Sequence, residues 1–291
     1  MNYNPVRMSK PKPLSDVLSL YVSTKVSLSP GYIEQLTVVV NLFERHLGRS
    51  AISSDLTGEN VRGWMRWLLA LPRSARTVNG RAATLCSLWR FAHAKKLCRK
   101  APSEIPRLRE PACIPCSYTD EQFAAMVGAC ADLKHHGPIM RGLLLVLWDT
   151  GCRLGAVLAT KRSSFDLPTR TVRIMEPKTL KEQVYQLSET TAQALAILTP
   201  ENGTLLGWRC TPTALRNLLV KIQEKVGIPR DRWHKFHCVR KTKYSAVYAR
   251  FGLKVASDHL GHTSDLSRNY LDTRRLVDGS ITSHLPPPIA G

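Results

Sequence analysis

At 291 residues the chain is long enough for two ordinary domains, each burying a core of its own. Its 42 Lys and Arg against 22 Asp and Glu give a formal charge of +20, which makes an extended polyanion the expected partner and leaves DNA, RNA and an anionic membrane surface open. Residues 1–14 hold no apolar signal core, and the run Leu143 to Trp148 is far shorter than the ~20 residues of a membrane span, so a soluble, unexported, cytoplasmic protein is expected.

Residues 1–12 read as an N-terminal tail, and 13–100 as helix after helix. Tyr32, Leu36, Val39, Val40, Phe43 and Leu47 recur at three- and four-residue spacing, the pattern of a helix buried on one face. Ser53, Ser54 and Asp55 supply turn and capping chemistry before Val61, Trp64, Met65, Trp67 and Leu68 continue as a second helix, which Pro72 ends. Val78, Ala82, Leu85, Leu88, Trp89 and Ala92 mark a third, whose other side carries Arg76, Arg81, Arg90 and Lys95. A helical bundle with a basic face results, and the three arginines are its candidate polyanion contacts. Because basic residues recur in both halves, both are expected to touch the polyanion, as a clamp would.

Pro102, Pro106, Pro111 and Pro115 interrupt residues 101–117 with no periodicity, as in an interdomain linker. The second domain is expected over 118–276, followed by a C-terminal tail, 277–291. Thr119 to Gln122 resembles a helix cap with an acidic first turn, and Pro138 opens a strongly apolar helix that stops at Thr150-Gly151. Residues 171–175 and 183–187 are short β-prone runs around a polar turn, which predicts a hairpin. Helices follow over 191–198, from Thr211-Pro212 to Gly227, and over 237–261 as two segments joined near Gly252. The fold class expected is mainly α: an all-α N-terminal bundle, then an α+β domain with a small antiparallel sheet.

Eight scattered cysteines fit reduced thiols better than a disulfide framework. Cys113 and Cys116, with Cys130 and His135 or His136, have a weak likeness to a zinc site; plain linker cysteines are the better reading, and no metal or other cofactor is expected.

Metal-free cleavage of a phosphodiester requires cations on the nonbridging oxygens, a nucleophile, and an acid for the departing alkoxide. The second domain offers each in order. Arg153 follows the break at Thr150-Gly151, and Lys178 stands at the hairpin turn. His237 and Arg240 share a helical face near a helix N-terminus, and His262 is followed eight residues later by Tyr270.

At these positions the chain resembles the tyrosine recombinases, or phage integrases. Asp149 to Leu154 is similar to the family's first arginine motif, His237-Cys238-Val239-Arg240-Lys241-Thr242 to its H-x-x-R motif, and Leu260-Gly261-His262-Thr263-Ser264 to the segment before the nucleophile. Tyr270-Leu271-Asp272 resembles the nucleophile region, Lys178 with 181–187 the lysine-bearing hairpin, and the N-terminal helices the SAM-like core-binding domain. The resemblance implies attack by Tyr270, giving a 3′-phosphotyrosine and a free 5′-hydroxyl. It also implies charge neutralisation by Arg153 and Arg240, leaving-group protonation by Lys178, assistance from His237 and His262, and DNA contacts from Lys241 and Lys243. The partners it implies are double-stranded DNA and a homotetramer on paired sites, with neither metal nor ATP. Two features depart from the pattern: Ala156 stands where the family often has an acid, and the interval from His262 to Tyr270 is one residue short. A type IB topoisomerase and a non-catalytic DNA-binding protein on the same fold are the alternative readings.

Overall fold

The computed structural model describes residues 10–176, 180–198, 211–231, 233–261 and 269–276. The chain divides into two compact units, Met1–Ala112 and Cys113–Gly291.

In the first unit, α1 (Leu14–Ser23), α2 (Pro30–Leu47), α3 (Gly58–Ala70) and α4 (Ala75–Ala94) form the expected bundle. Local chemistry sets the helix starts: the side chains of Ser29, Thr57 and Ser74 each accept from a backbone N–H in the first turn that follows. The predicted apolar stripes are the core, with Leu14, Val17, Phe43, Trp64, Leu85 and Trp89 essentially sealed from solvent. Phe43 and Trp64 meet edge to face at 5.8 Å, a geometry that contributes about 1 kcal/mol beyond area burial.

The proline-bearing stretch that reads as linker is in large part docked on α4. Asn79 donates to Leu108 O and accepts from Leu108 N, both at 2.9 Å, and Glu110 takes hydrogen bonds from Arg76 and Asn79. Prolines deprive this stretch of its own ladder, so its remaining backbone polar groups find side-chain partners, while Ile105 and Leu108 pack on the core.

The second unit contains α5 (Asp120–Ala129), α6 (Gly137–Thr150), α7 (Leu154–Ala159), β1 (Phe165–Asp166), β2 (Thr171–Glu176), β3 (Lys181–Gln186), α8 (Glu189–Ala196), α9 (Pro212–Lys225) and α10 (Phe236–Leu260). Met140, Leu143, Leu144, Val146 and Leu147 are buried around the whole circumference of α6, so it forms the centre of the unit. The antiparallel sheet runs β1-β2-β3 and sets Val172 opposite both Phe165 and Tyr185. The two-residue β1 is too short for a sequence signal. Helix α8 starts earlier than its apolar pattern indicates because Ser188 caps it. The expected join near Gly252 is a kink in α10, with φ 81° and ψ 179°.

Candidate active site

Helix α6 ends at Gly151, whose φ of 63° is the left-handed turn-out that glycine permits. A Cβ there would also press on Leu260 at 3.2 Å and on Lys243 at 3.3 Å, so the position is closed to larger residues on two grounds. The chain then delivers Arg153 as the N-cap residue of α7.

One edge of the Arg153 guanidinium is held by Glu176, with Nη1 2.7 Å from Oε2, and the side chain retains 27% exposure. Glu176 closes β2, where Val172, Ile174 and Glu176 alternate onto the buried face. Its other oxygen, Oε1, is buried without a hydrogen-bond partner among the described residues. The carboxylate beside Arg153 thus comes from the sheet, and Ala156 is buried in the core. Sequence reasoning missed Glu176, although strand alternation that points a charged residue inward is the signal that finds it.

Arg240, on the first turns of α10, is 1% exposed. Its Nη1 donates to Gly151 O at 2.7 Å and its Nη2 to Leu260 O at 2.9 Å, so it ties the C-terminal ends of α6 and α10 together. The guanidinium carbon lies 5.2 Å from the ring centroid of Tyr270, within cation–π range. The Tyr270 ring is buried against His237 at 5.5 Å and Tyr244 at 5.8 Å. The segment after it is anchored: Ser117 donates to Asp272 at 2.6 Å, Arg274 makes a two-pronged pair with the same carboxylate, and Asp272 N donates to Ser245. Burial raises the Asp272 pKa, but the bonds from Arg274 and Ser117 and the charge of Arg274 outweigh it, leaving the carboxyl below its ordinary range.

His237 is exposed and, with Arg153, lines a cavity of about 380 Å³ that also takes in Arg216, Gln223 and Lys235. The mouth of this cavity is rich in cations at the N-terminus of α10, an arrangement suited to an anion. Lys178 and His262 lie outside the described residues, as does the short interval leading to Tyr270.

The proposed polyanion contacts divide by environment. Arg90 is exposed on α4, and Arg76 is exposed but paired with Glu110. Arg81 is half-buried, with Nη1 lacking a partner among the described residues and its pKa lowered by burial and by Arg73. Lys241 is half-buried on α10. Lys243 turns inward, its ammonium pushed below the usual lysine range by burial against the pull of Asp149. Nearby His259 is also lowered, by burial and then by Lys243. Among the described residues no group of three or more His, Cys, Asp or Glu is placed to hold a metal, and Cys130 is a buried thiol pushed up to about 12 by desolvation.

No family model matches the chain. Over 183 residues it is 24% identical to tyrosine recombinase XerC of Chlamydia pneumoniae, covering 62% of this chain and 56% of that protein. It is 28% identical over 182 residues to the XerC of Chlamydia muridarum, covering 61% and 55%. A Sinorhizobium fredii integrase/recombinase, y4rE, is 24% identical over 193 residues, covering 57% and 61%. The chain is similar in sequence to tyrosine recombinases. It spans a little over half the length of the XerC relatives it matches. The chain also shares its fold with a lambda integrase tetramer bound to a Holliday junction, at a TM-score of 0.74 and 16% identity over 91% of this chain and 78% of that one. The Tn1549 transposon integrase in complex with transposon right end DNA gives 0.72 at 14% identity, over 95% and 100%.

Proposed function

We propose that the chain is a site-specific DNA recombinase or integrase that cleaves and rejoins strands of double-stranded DNA through a covalent link to Tyr270. The observation that carries this reading is the convergence of Tyr270, Arg240 and His237, with ring-to-guanidinium and ring-to-ring distances of 5.2 and 5.5 Å, from positions separated by up to 33 residues of sequence.

The Tyr270 hydroxyl attacks phosphorus, and the bond to the 5′-oxygen breaks. A phosphodiester is exchanged for a 3′-phosphotyrosyl diester, so bond energy is conserved and neither ATP nor a metal enters the balance. Arg153, held on one edge by Glu176, offers its other edge to a nonbridging oxygen, where planar two-pronged contact is favoured. Arg240 supplies positive charge beneath the nucleophile. His237 and Lys178 handle the protons, with Lys178 delivering one to the leaving 5′-oxygen and His262 donating to the phosphate. A 5′-hydroxyl from a second duplex reverses the attack and completes the exchange. The likeness to a lambda integrase tetramer on a Holliday junction supports four copies acting on two paired sites. Among the described residues no helix is long and apolar enough to cross a membrane.

The test is a nicked suicide duplex carrying the element's own ends, incubated with the wild type and with Tyr270→Phe. A covalent adduct in the wild type that disappears in the variant is expected. Persistence in the variant would mean another nucleophile. Binding without an adduct in either protein would favour a non-catalytic DNA-binding role, and relaxation of a plasmid lacking any site would favour a topoisomerase.

A further inference from the structure

Outside the candidate active site, a second constellation of reactive groups is built around Cys116. Its sulfur lies 3.2 Å from Nε2 of His234, and Nδ1 of the same ring lies 2.9 Å from Asp231 Oδ2. Asp231 also takes backbone hydrogen bonds from Trp233 and His234, each at 2.7 Å, which fixes the turn. Gln223 donates to His234 O at 2.9 Å, and the imidazole lies 5.4 Å from the Tyr118 ring. A carboxylate that accepts a hydrogen bond from Nδ1–H leaves Nε2 as an acceptor facing a thiol, the relation of nucleophile, base and orienting carboxylate.

A second thiol is in place. Cys238 donates to Cys116 O at 3.2 Å, which sets its sulfur directly against residue 116. Cys116 is half-exposed, whereas Cys238 is 1% exposed and its pKa is raised, first by burial and then by Cys116. One sulfur is therefore accessible and faces an imidazole nitrogen, and the other is sheltered and protonated, as a resolving thiol should be.

We propose that Cys116 is a peroxide-reactive thiol that forms a reversible disulfide with Cys238. The Cys116 thiolate attacks one oxygen of hydrogen peroxide, the O–O bond breaks, and the proton held by His234 leaves with the departing hydroxide as water, giving a sulfenic acid. Cys238 sulfur then attacks the sulfenic sulfur, the S–O bond breaks, and the Cys238 proton leaves with the hydroxide. Two thiols and one peroxide become one disulfide and two waters. The bridge would tie residue 116 to the first turn of α10, between His237 and Arg240. It would also alter the neighbourhood of Ser117, which holds Asp272 two residues beyond Tyr270.

The experiment uses the full-length chain without DNA, treated with graded hydrogen peroxide, alkylated, digested and read by mass spectrometry. A peptide crosslink between Cys116 and Cys238 is expected before any oxidation of Cys113, although Cys113 is the more exposed. In folded His234→Gln the crosslink should form at least about tenfold more slowly. In Cys238→Ala a sulfenic acid on Cys116 should accumulate and be captured by dimedone. Oxidation of Cys113 first, crosslinking of His234→Gln at the wild-type rate, or absence of a dimedone adduct in Cys238→Ala would each overturn the proposal. Because the readout is mass and not strand exchange, it stands or falls separately from the recombinase reading.

Discussion

Replacing Glu176 by Gln keeps the side-chain shape and removes the charge that grips Arg153. The Arg153 guanidinium then loses its charge-assisted partner while remaining largely buried, so Glu176→Gln should lower stability by about 1–3 kcal/mol in urea unfolding. It should also slow adduct formation on a suicide duplex, though by less than the roughly 10²- to 10³-fold expected for Arg153→Ala, which removes the proposed phosphate contact itself. Asp272 carries the pH dependence of the same neighbourhood. Its folded pKa lies below the unfolded value of about 3.9, so its contribution is fully present above that pH and is lost as pH falls through the folded value. Asp272→Asn should therefore reduce stability at pH 7 while converging with the wild type as pH falls below the folded value, measured by denaturant titration at each pH. At this scale the sequence was informative where chemistry is ordered along the chain. Arg153, His237, Arg240 and Tyr270 could be named from their motifs, but the partner Glu176 comes from another element across a fold contact. That Arg240 is consumed by two carbonyls, and that Lys243 turns inward, depend on how α6 and α10 meet.

The elements themselves were legible because caps and apolar periods agree. Thr119 and Thr211 accept from the N–H three residues on, where their helices were expected to begin, and Ser29 and Ser74 do the same for α2 and α4. What escaped was pairing without pattern: the two-residue β1, and the attachment of 105–110 to α4 through Asn79 and Glu110. The kink in α10 makes a sharp test. Gly252 has a backbone conformation essentially reserved for glycine, yet a Cβ there would meet nothing within 4 Å. Gly252→Ala should thus cost about 1–3 kcal/mol through backbone strain alone, read as a lower urea midpoint with an unchanged slope. An unaltered midpoint would mean that the helix straightens freely.

At the scale of the whole molecule, a charge of +20 makes the proposed DNA affinity a function of salt. If roughly eight phosphates are engaged, log Kd against log salt should have a slope near 7, measurable by fluorescence anisotropy. Exposed Arg90 and half-buried Lys243 should separate in that assay. Arg90→Ala should reduce the slope by about one, whereas Lys243→Ala should leave it nearly unchanged and destabilise the fold instead. The two-unit layout and the mainly helical class followed from charge distribution, proline spacing and apolar period, which are properties of composition and local order. Arg240 finally bears on how a lineage of such proteins can change. Two helix C-termini, each with a partial negative end, converge on this one buried guanidinium, and a lysine cannot reach both carbonyls with the same planar fork. Any relative that keeps these two helix ends together needs an arginine at this position whether or not it cleaves DNA, so the demand on Arg240 is architectural.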